Sequence, residues 1–314
     1  MKPGELRDRL ERYVALRRAV GFPMRAEERM LRDFVTFVEC RGMDEAVRSH
    51  LAVEWACQGD HRGPKTQARR LSVVRGFLAH VRASVPQTEV PPVGLVAENR
   101  RPTPYIYTEQ EIRALVDAAR KLDPNDSLRP HTHATIIGLL AASGLRAGEI
   151  TRLRLEDVRL EVETPHLRVL DTKFHKSRLV PLHPSTATAL RAYATQRYRL
   201  GYDGLCDRFF VSERPGAIRY QSIRRTFVSL VRRLGLGAGK QHLRLHDLRH
   251  TFAVRRLLAW YREGADVRAR LPELSVYLGH LKPENTYWYL SAIPELLGIA
   301  AQRFERFAGG GALP

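Results

Sequence analysis

The sequence predicts a mostly α-helical protein with a small antiparallel sheet, divided into two domains. Three observations predict it. Apolar residues recur at helical spacing along most of the chain, two short runs have the character of strands, and a proline-rich stretch interrupts the pattern between residues 86 and 104. The length, 314 residues, suits two domains rather than one.

Leu6, Leu10, Val14 and Leu16 with Val20 predict a first amphipathic helix, and Met30, Leu31, Phe34, Phe37 and Val38 a second. A third is expected over 45–57 and a fourth over 64–85, where Pro64 suits a first turn. Four short helices make residues 1–85 a small bundle. Five prolines (86, 91, 92, 102 and 104) without clear periodicity mark 86–104 as a linker. The pattern resumes at Thr108, which with Glu111 forms a capping box for a helix to about 122. The next helix covers about 130–142 and is broken at Ser143-Gly144. Runs at 166–170 and 178–182 read as strands around a turn at 172–177. Helices are then expected over 184–199, 219–234, 245–260, 271–279 and 294–307, all within a second domain from 105 to 314.

The formal net charge is +18, shared by both halves of the chain. A surface of that sign recruits polyanions by releasing their counterions, so nucleic acid is the leading partner. No segment approaches the roughly 18 to 20 apolar residues of a spanning helix. The first residues, MKPGELRDRL, mix charges throughout, so no secretory signal is expected. Cys40, Cys57 and Cys206 are isolated and form neither a metal spacing nor a disulfide pattern, which suits a reducing cytoplasm. Lysine stands at only seven positions, which makes the pair Lys173 and Lys176 conspicuous.

Four segments carry chemistry. In His246-Asp247-Leu248-Arg249-His250, helical spacing puts His246 and Arg249 on one face, where an imidazole and a guanidinium could grip a phosphodiester. Ser143-Gly144-Leu145-Arg146-Ala147-Gly148-Glu149 sets an arginine just after a helix break, with a carboxylate three residues on that could orient it. Leu278-Gly279-His280 supplies another imidazole at the end of an apolar helix. Tyr289 follows nine residues later, within Asn285-Thr286-Tyr287-Trp288-Tyr289-Leu290. No compact Asp/Glu/His cluster of the kind that holds catalytic metal ions is evident. His131 and His133, near a helix start, are expected to face solvent.

The order Leu-Arg-x-x-Glu, a lysine in a β-turn, His-x-Leu-Arg-His, Leu-Gly-His and a late tyrosine resembles the tyrosine recombinases, including bacterial Xer proteins and phage and transposon integrases. The match covers about residues 105–300. The resemblance implies a helical core-binding domain followed by a recombinase catalytic domain, closing as a clamp on double-stranded DNA. It implies Arg146 and Arg249 as the catalytic arginines, His246 and His280 as the two histidine positions, and Tyr289 as nucleophile. The family turn usually reads Gly-Lys-Gly. Here Thr172 and Phe174 flank Lys173, which falls on the family lysine, with Lys176 as the alternative.

The implied chemistry is site-specific cleavage and rejoining through a 3′-phosphotyrosyl link, with no cofactor and no metal. Arginines favour the charge of the pentacoordinate transition state. His246 accepts the phenol proton, Lys173 protonates the departing 5′-oxygen, and His280 hydrogen-bonds the scissile phosphate. Because the covalent link stores the bond energy, a second strand's hydroxyl reverses the step without ATP. The implied working form is a homo- or hetero-tetramer on two DNA sites, in the cytoplasm with the nucleoid. The apolar face of 294–307 (Leu296, Leu297, Ile299, Phe304 and Phe307) would dock on a neighbouring protomer or pack in cis. Arg69, Arg70 and Arg75 are either a solvated face or, by analogy, contacts to the duplex backbone. Two other functions remain open at this point: DNA relaxation of the type IB topoisomerase kind, and a catalytically silent DNA-binding protein.

Overall fold

The computed structural model describes residues 4–42, 46–59, 63–96, 103–170, 177–213, 216–237, 243–280, 282–292 and 298. The chain divides into two compact units, Met1–Pro102 and Thr103–Pro314.

The described helices of the first unit are α1 (Glu5–Ala19), α2 (Arg25–Cys40), α3 (Ser49–Cys57) and α4 (Pro64–Arg82). Leu6, Leu10 and Val14 stand four apart on one stripe and are buried with Leu31, Phe34, Trp55, Val74 and Phe77. Leu16 and Val20 fall off that stripe and are exposed, and the helix stops at Ala19.

Arg70 is interior rather than part of a DNA-facing surface. It is 6% exposed, its guanidinium lies 3.6 Å from the centroid of the Trp55 ring, and Nη2 donates to the Trp55 carbonyl at 2.8 Å. The indole N–H of Trp55 donates to Asp33 at 3.1 Å, so one cation–π pair fastens α2, α3 and α4. Arg75 is structural too, holding the carbonyls of Pro91 and Pro92 at 2.8 and 2.9 Å. Glu89 accepts from the backbone and hydroxyl of Ser49, both at 2.9 Å, and so caps the start of α3, where Arg48 offers no side-chain cap. Residues 86–92, expected as the start of a linker, are therefore part of the first unit, and the division falls after Pro102.

The second unit comprises α5 (Glu109–Arg120), α6 (Leu128–Ser143), the single turn α7 (Ala147–Ile150), strands β1 (Val158–Arg159), β2 (His166–Val169) and β3 (Arg178–Pro181), then α8 (Pro184–Arg199), α9 (Tyr220–Arg233), α10 (Asp247–Arg262), α11 (Val267–Leu278) and α12 (Glu284–Ala292). The Thr108–Glu111 capping box opens α5. The sheet is antiparallel in the order β1-β2-β3, with Leu167 opposite both Val158 and Val180. Leu167, Val169 and Val180 face the core, as period-two alternation requires. The turn carrying Lys173 lies outside the described residues, as does the helix expected over 294–307 except for Gly298.

Helix α6 buries residues on most of its circumference and packs against α5, α8 and α10, which makes it the central helix. That placement corrects the expectation for His133. It is 4% exposed, meets Thr226 of α9 at 3.4 Å, and burial lowers its pKa to about 4. His131 is half-buried. Two apolar clusters flank α10: Leu248 joins the main core, whereas Ala253, Val254 and Leu257 pack with α11 and α12.

Replacing Arg70 with Ala removes the stacked cation and opens a void beside Trp55. The expected loss is on the order of 2 kcal/mol or more of first-unit stability. Urea unfolding followed by tryptophan fluorescence measures it, and an unchanged midpoint would show that the stacked pair contributes nothing.

Candidate active site

Two helices end beside one another in left-handed glycines. Gly144 closes α6 with φ 61°, and Gly279 closes α11 with φ 67°. Neither site has room for a side chain. A Cβ on Gly144 would come within 2.5 Å of the Phe252 ring, and one on Gly279 within 2.8 Å of an Arg178 nitrogen. Helix ends of this kind leave carbonyls unpaired and partly negative. Arg249 fills that role from α10: its Nη1 donates to the Gly144 carbonyl at 2.7 Å and its Nη2 to the Leu278 carbonyl at 2.6 Å. Arg146 donates through Nη2 to the Gly279 carbonyl at 2.9 Å. The Leu-Gly-His glycine is thus a structural requirement for placing both arginines.

Arg249 is 1% exposed, and burial, followed by the charge of Arg146, lowers its pKa to about 9. It therefore stays charged at neutral pH. Glu149 balances the cluster. Its carboxylate accepts from the Arg146 backbone at 2.9 Å, from Arg146 Nη1 at 2.8 Å, and from both Nη atoms of Arg178 at 3.2 and 2.9 Å. Burial pushes its pKa up, but the fork of Arg178 and the donors of Arg146 outweigh that and hold it at about 2. Arg178 also donates from Nε to the Tyr277 carbonyl at 2.8 Å, tying β3 to α11.

Tyr289 is carried by α12 and is 1% exposed, packed with the apolar residues of α10 and α11. Its hydroxyl lies 2.8 Å from Nδ1 of His250. His246, expected to take the phenol proton, sits one turn earlier on the same chain segment, its ring centroid 4.8 Å from that of His250 and nearly perpendicular to it. His280 Nδ1 meets the hydroxyl of buried Thr286 at 2.8 Å. Thr286 and Tyr289 are three apart on α12, so His280 anchors the face that presents the tyrosine. The Asp247 carboxylate accepts from the backbone N–H and the guanidinium of Arg244, at 2.8 and 2.9 Å, which fixes the entry to α10.

Arg146, His246, Arg249, His280 and Tyr289 thus gather around the two helix ends, beside a cavity of about 160 Å³ lined by Arg146, Tyr220 and His246. Lys173 and Lys176 lie outside the described residues. Sequence reasoning passed over His250 and Arg178. Position 250 stands four after His246, which is a helical neighbour, and Arg178 opens the Arg-Leu-Val-Pro-Leu strand. Those were the available signals.

Cations arrayed for an anion, beside a phenol whose hydroxyl touches an imidazole, fit the class of enzymes that break and rejoin DNA through a tyrosine. The phage integrase family model matches residues 106–295, and the chain belongs to that family as a tyrosine-type site-specific recombinase. It is 38% identical to an integrase/recombinase of Sinorhizobium fredii over 96% of this chain and 97% of that one. It is 30% identical to the tyrosine recombinase XerC of Pelobacter propionicus over 84% and 82% of the two chains. Among solved structures, the Tn1549 transposon integrase in complex with transposon right end DNA matches with a TM-score of 0.66 at 15% identity, over 96% of this chain and 99% of that one.

Because the folded state holds the Glu149 carboxyl below its ordinary value of 4.5, at about 2, its contribution is complete above about pH 4.5 and is lost as pH falls toward 2. Glu149→Gln is expected to cost about 3 kcal/mol at neutral pH. The gap from the wild type should close between about pH 5 and 2 as the wild-type carboxyl protonates. Denaturant titrations across that range measure it, and a gap independent of pH would contradict the ion-pair account.

Proposed function

We propose that the chain cleaves and rejoins double-stranded DNA at specific sites, with Tyr289 as the nucleophile that forms a 3′-phosphotyrosyl link. The observation that carries this reading is the Tyr289 hydroxyl resting on an imidazole next in sequence to Arg249, whose guanidinium is fixed by two helix ends. Arg146 and Arg249 hold the non-bridging oxygens and favour the added charge of the transition state. His246 and His280 complete the grip on the phosphate. Lys173 protonates the leaving 5′-oxygen, a role that stands on the family motif. Relatives named as integrases and recombinases favour strand exchange over relaxation or silent binding. The first unit clamps the duplex through its phosphates, and the enzyme works in the cytoplasm with the nucleoid. Among the described residues no helix is long and apolar enough to cross a membrane.

Strand exchange between two sites calls for four protomers. Docking of residues 294–307 of one copy on the next would couple them. An apolar groove of about 430 Å³, lined by Leu182, Phe252, Trp260, Leu274 and Tyr277, supports that reading as a receiving surface.

A nicked duplex that strands the covalent intermediate should give a protease-resistant tyrosyl adduct with the wild type in the presence of EDTA. Tyr289→Phe should give none. An adduct persisting in that variant would refute the nucleophile, and dependence on divalent cations would refute the cation-grip chemistry. Removing residues 292–314 should weaken multimer assembly on two-site DNA by native gel, and unchanged assembly would sink docking in trans.

A further inference from the structure

We infer that His250 is the catalytic base of strand cleavage, taking the Tyr289 proton on Nδ1 and keeping it for rejoining. This rests on Tyr289 as nucleophile. A phenol with a pKa near ~10 is only about one part in a thousand ionised at pH 7, so attack needs an acceptor already in place. His250 Nδ1 stands 2.8 Å from the hydroxyl, within the range a general base requires. Accepting that proton calls for the tautomer protonated on Nε2.

The setting suits a base that holds a proton rather than one that passes it to bulk water. His250 is 5% exposed, and its ring is bounded by Trp288 at 5.7 Å, His246 at 4.8 Å and Tyr289 at 5.5 Å between centroids. It also follows Arg249 directly on α10, so the group that activates the nucleophile and the group that grips the phosphate move as one rigid segment. His246 is exposed, whereas His250 is buried against the tyrosine.

The step balances without a further reactant. Tyr289 Oη attacks phosphorus as its O–H bond breaks, and the proton passes to His250 Nδ1. The bond from phosphorus to the 5′-oxygen breaks, and the general acid protonates the leaving oxygen. In rejoining, a 5′-hydroxyl attacks the phosphotyrosine and gives its proton to the group that acted as acid. The bond from phosphorus to Oη breaks, and the proton held on His250 returns to the phenolate. No electron is transferred.

His250→Asn tests this, because its amide oxygen keeps an acceptor near Nδ1 but is not basic. Single-turnover adduct formation on the nicked duplex should slow about 10² to 10⁴-fold, the usual worth of a general base, while DNA affinity by mobility shift changes little. His250→Ala should slow similarly and recover in part with added imidazole. A wild-type or faster rate in His250→Asn would overturn the inference and mark His250 as a positioning or restraining group, and so would failure of imidazole to restore the Ala variant. Mapping the wild-type adduct to a different tyrosine would instead overturn the nucleophile reading itself.

Discussion

Three guanidiniums, those of Arg146, Arg178 and Arg249, crowd together with one buried carboxylate between two of them, and their mutual repulsion is the constraint that shapes the second unit. At a separation of 4 Å two like charges cost on the order of 4 kcal/mol under the effective screening near a protein surface, and more deeper in. The fold meets that cost in two ways. Glu149 sits between two of the cations with its side chain 1% exposed. The third, Arg249, rests on the carbonyl ends of α6 and α11, whose dipoles present negative charge. The unit still keeps a surplus of positive charge at the site, and a phosphodiester is the anion that would complete it.

Helix α10 turns that electrostatic arrangement into a device. Its two sides belong to different apolar clusters, so the helix is gripped from both directions, and the segment His246 to His250 emerges where the clusters meet. Arg244 and Asp247 pin its start, while Thr251 and Arg255 bind the backbone of Tyr107. Groups held within one stiff turn keep their mutual distances when a substrate arrives, which is the usual requirement for catalysis by positioning.

Much of this was legible in the sequence, and the limits have physical causes. Helix α5 is legible within a few residues because its stripe and its Thr108–Glu111 capping box are both local signals, and α2 shows its presence, though not its ends, in the stripe from Met30 to Val38. Helix α12 was not read at all: Tyr-Trp-Tyr in nine residues shows no stripe, and its place depends on α10 and α11. Helix α11 starts four residues before the expected 271, because Asp266 caps it through the backbone of Arg268 and Ala269 and the helix carries Pro272 in its interior. Ordered motifs point to Arg146, His246, Arg249, His280 and Tyr289, since Leu-Arg-x-x-Glu, His-x-Leu-Arg-His, Leu-Gly-His and a tyrosine nine residues later form a distinctive series. His250 and Arg178 escaped because their meaning lies in partners 39 and 29 residues away in sequence. The misread arginines of α4 share that origin, because nothing adjacent to Arg70 reveals the Trp55 ring it lies on.

Arg70 also bears on what composition means in this chain. Together with Arg197, which braces Asp203 and the Cys206 carbonyl from a position 2% exposed, and with Arg249, it shows guanidinium used as building material, spanning between carbonyls and rings where another protein would use an apolar or amide side chain. A formal excess of +18 therefore overstates the charge available to displace ions from a polyanion. The steepness with which affinity falls as salt rises should follow the arginines left at the surface, and charge-reversal engineering aimed at weaker binding would unfold the protein if it chose among the interior ones.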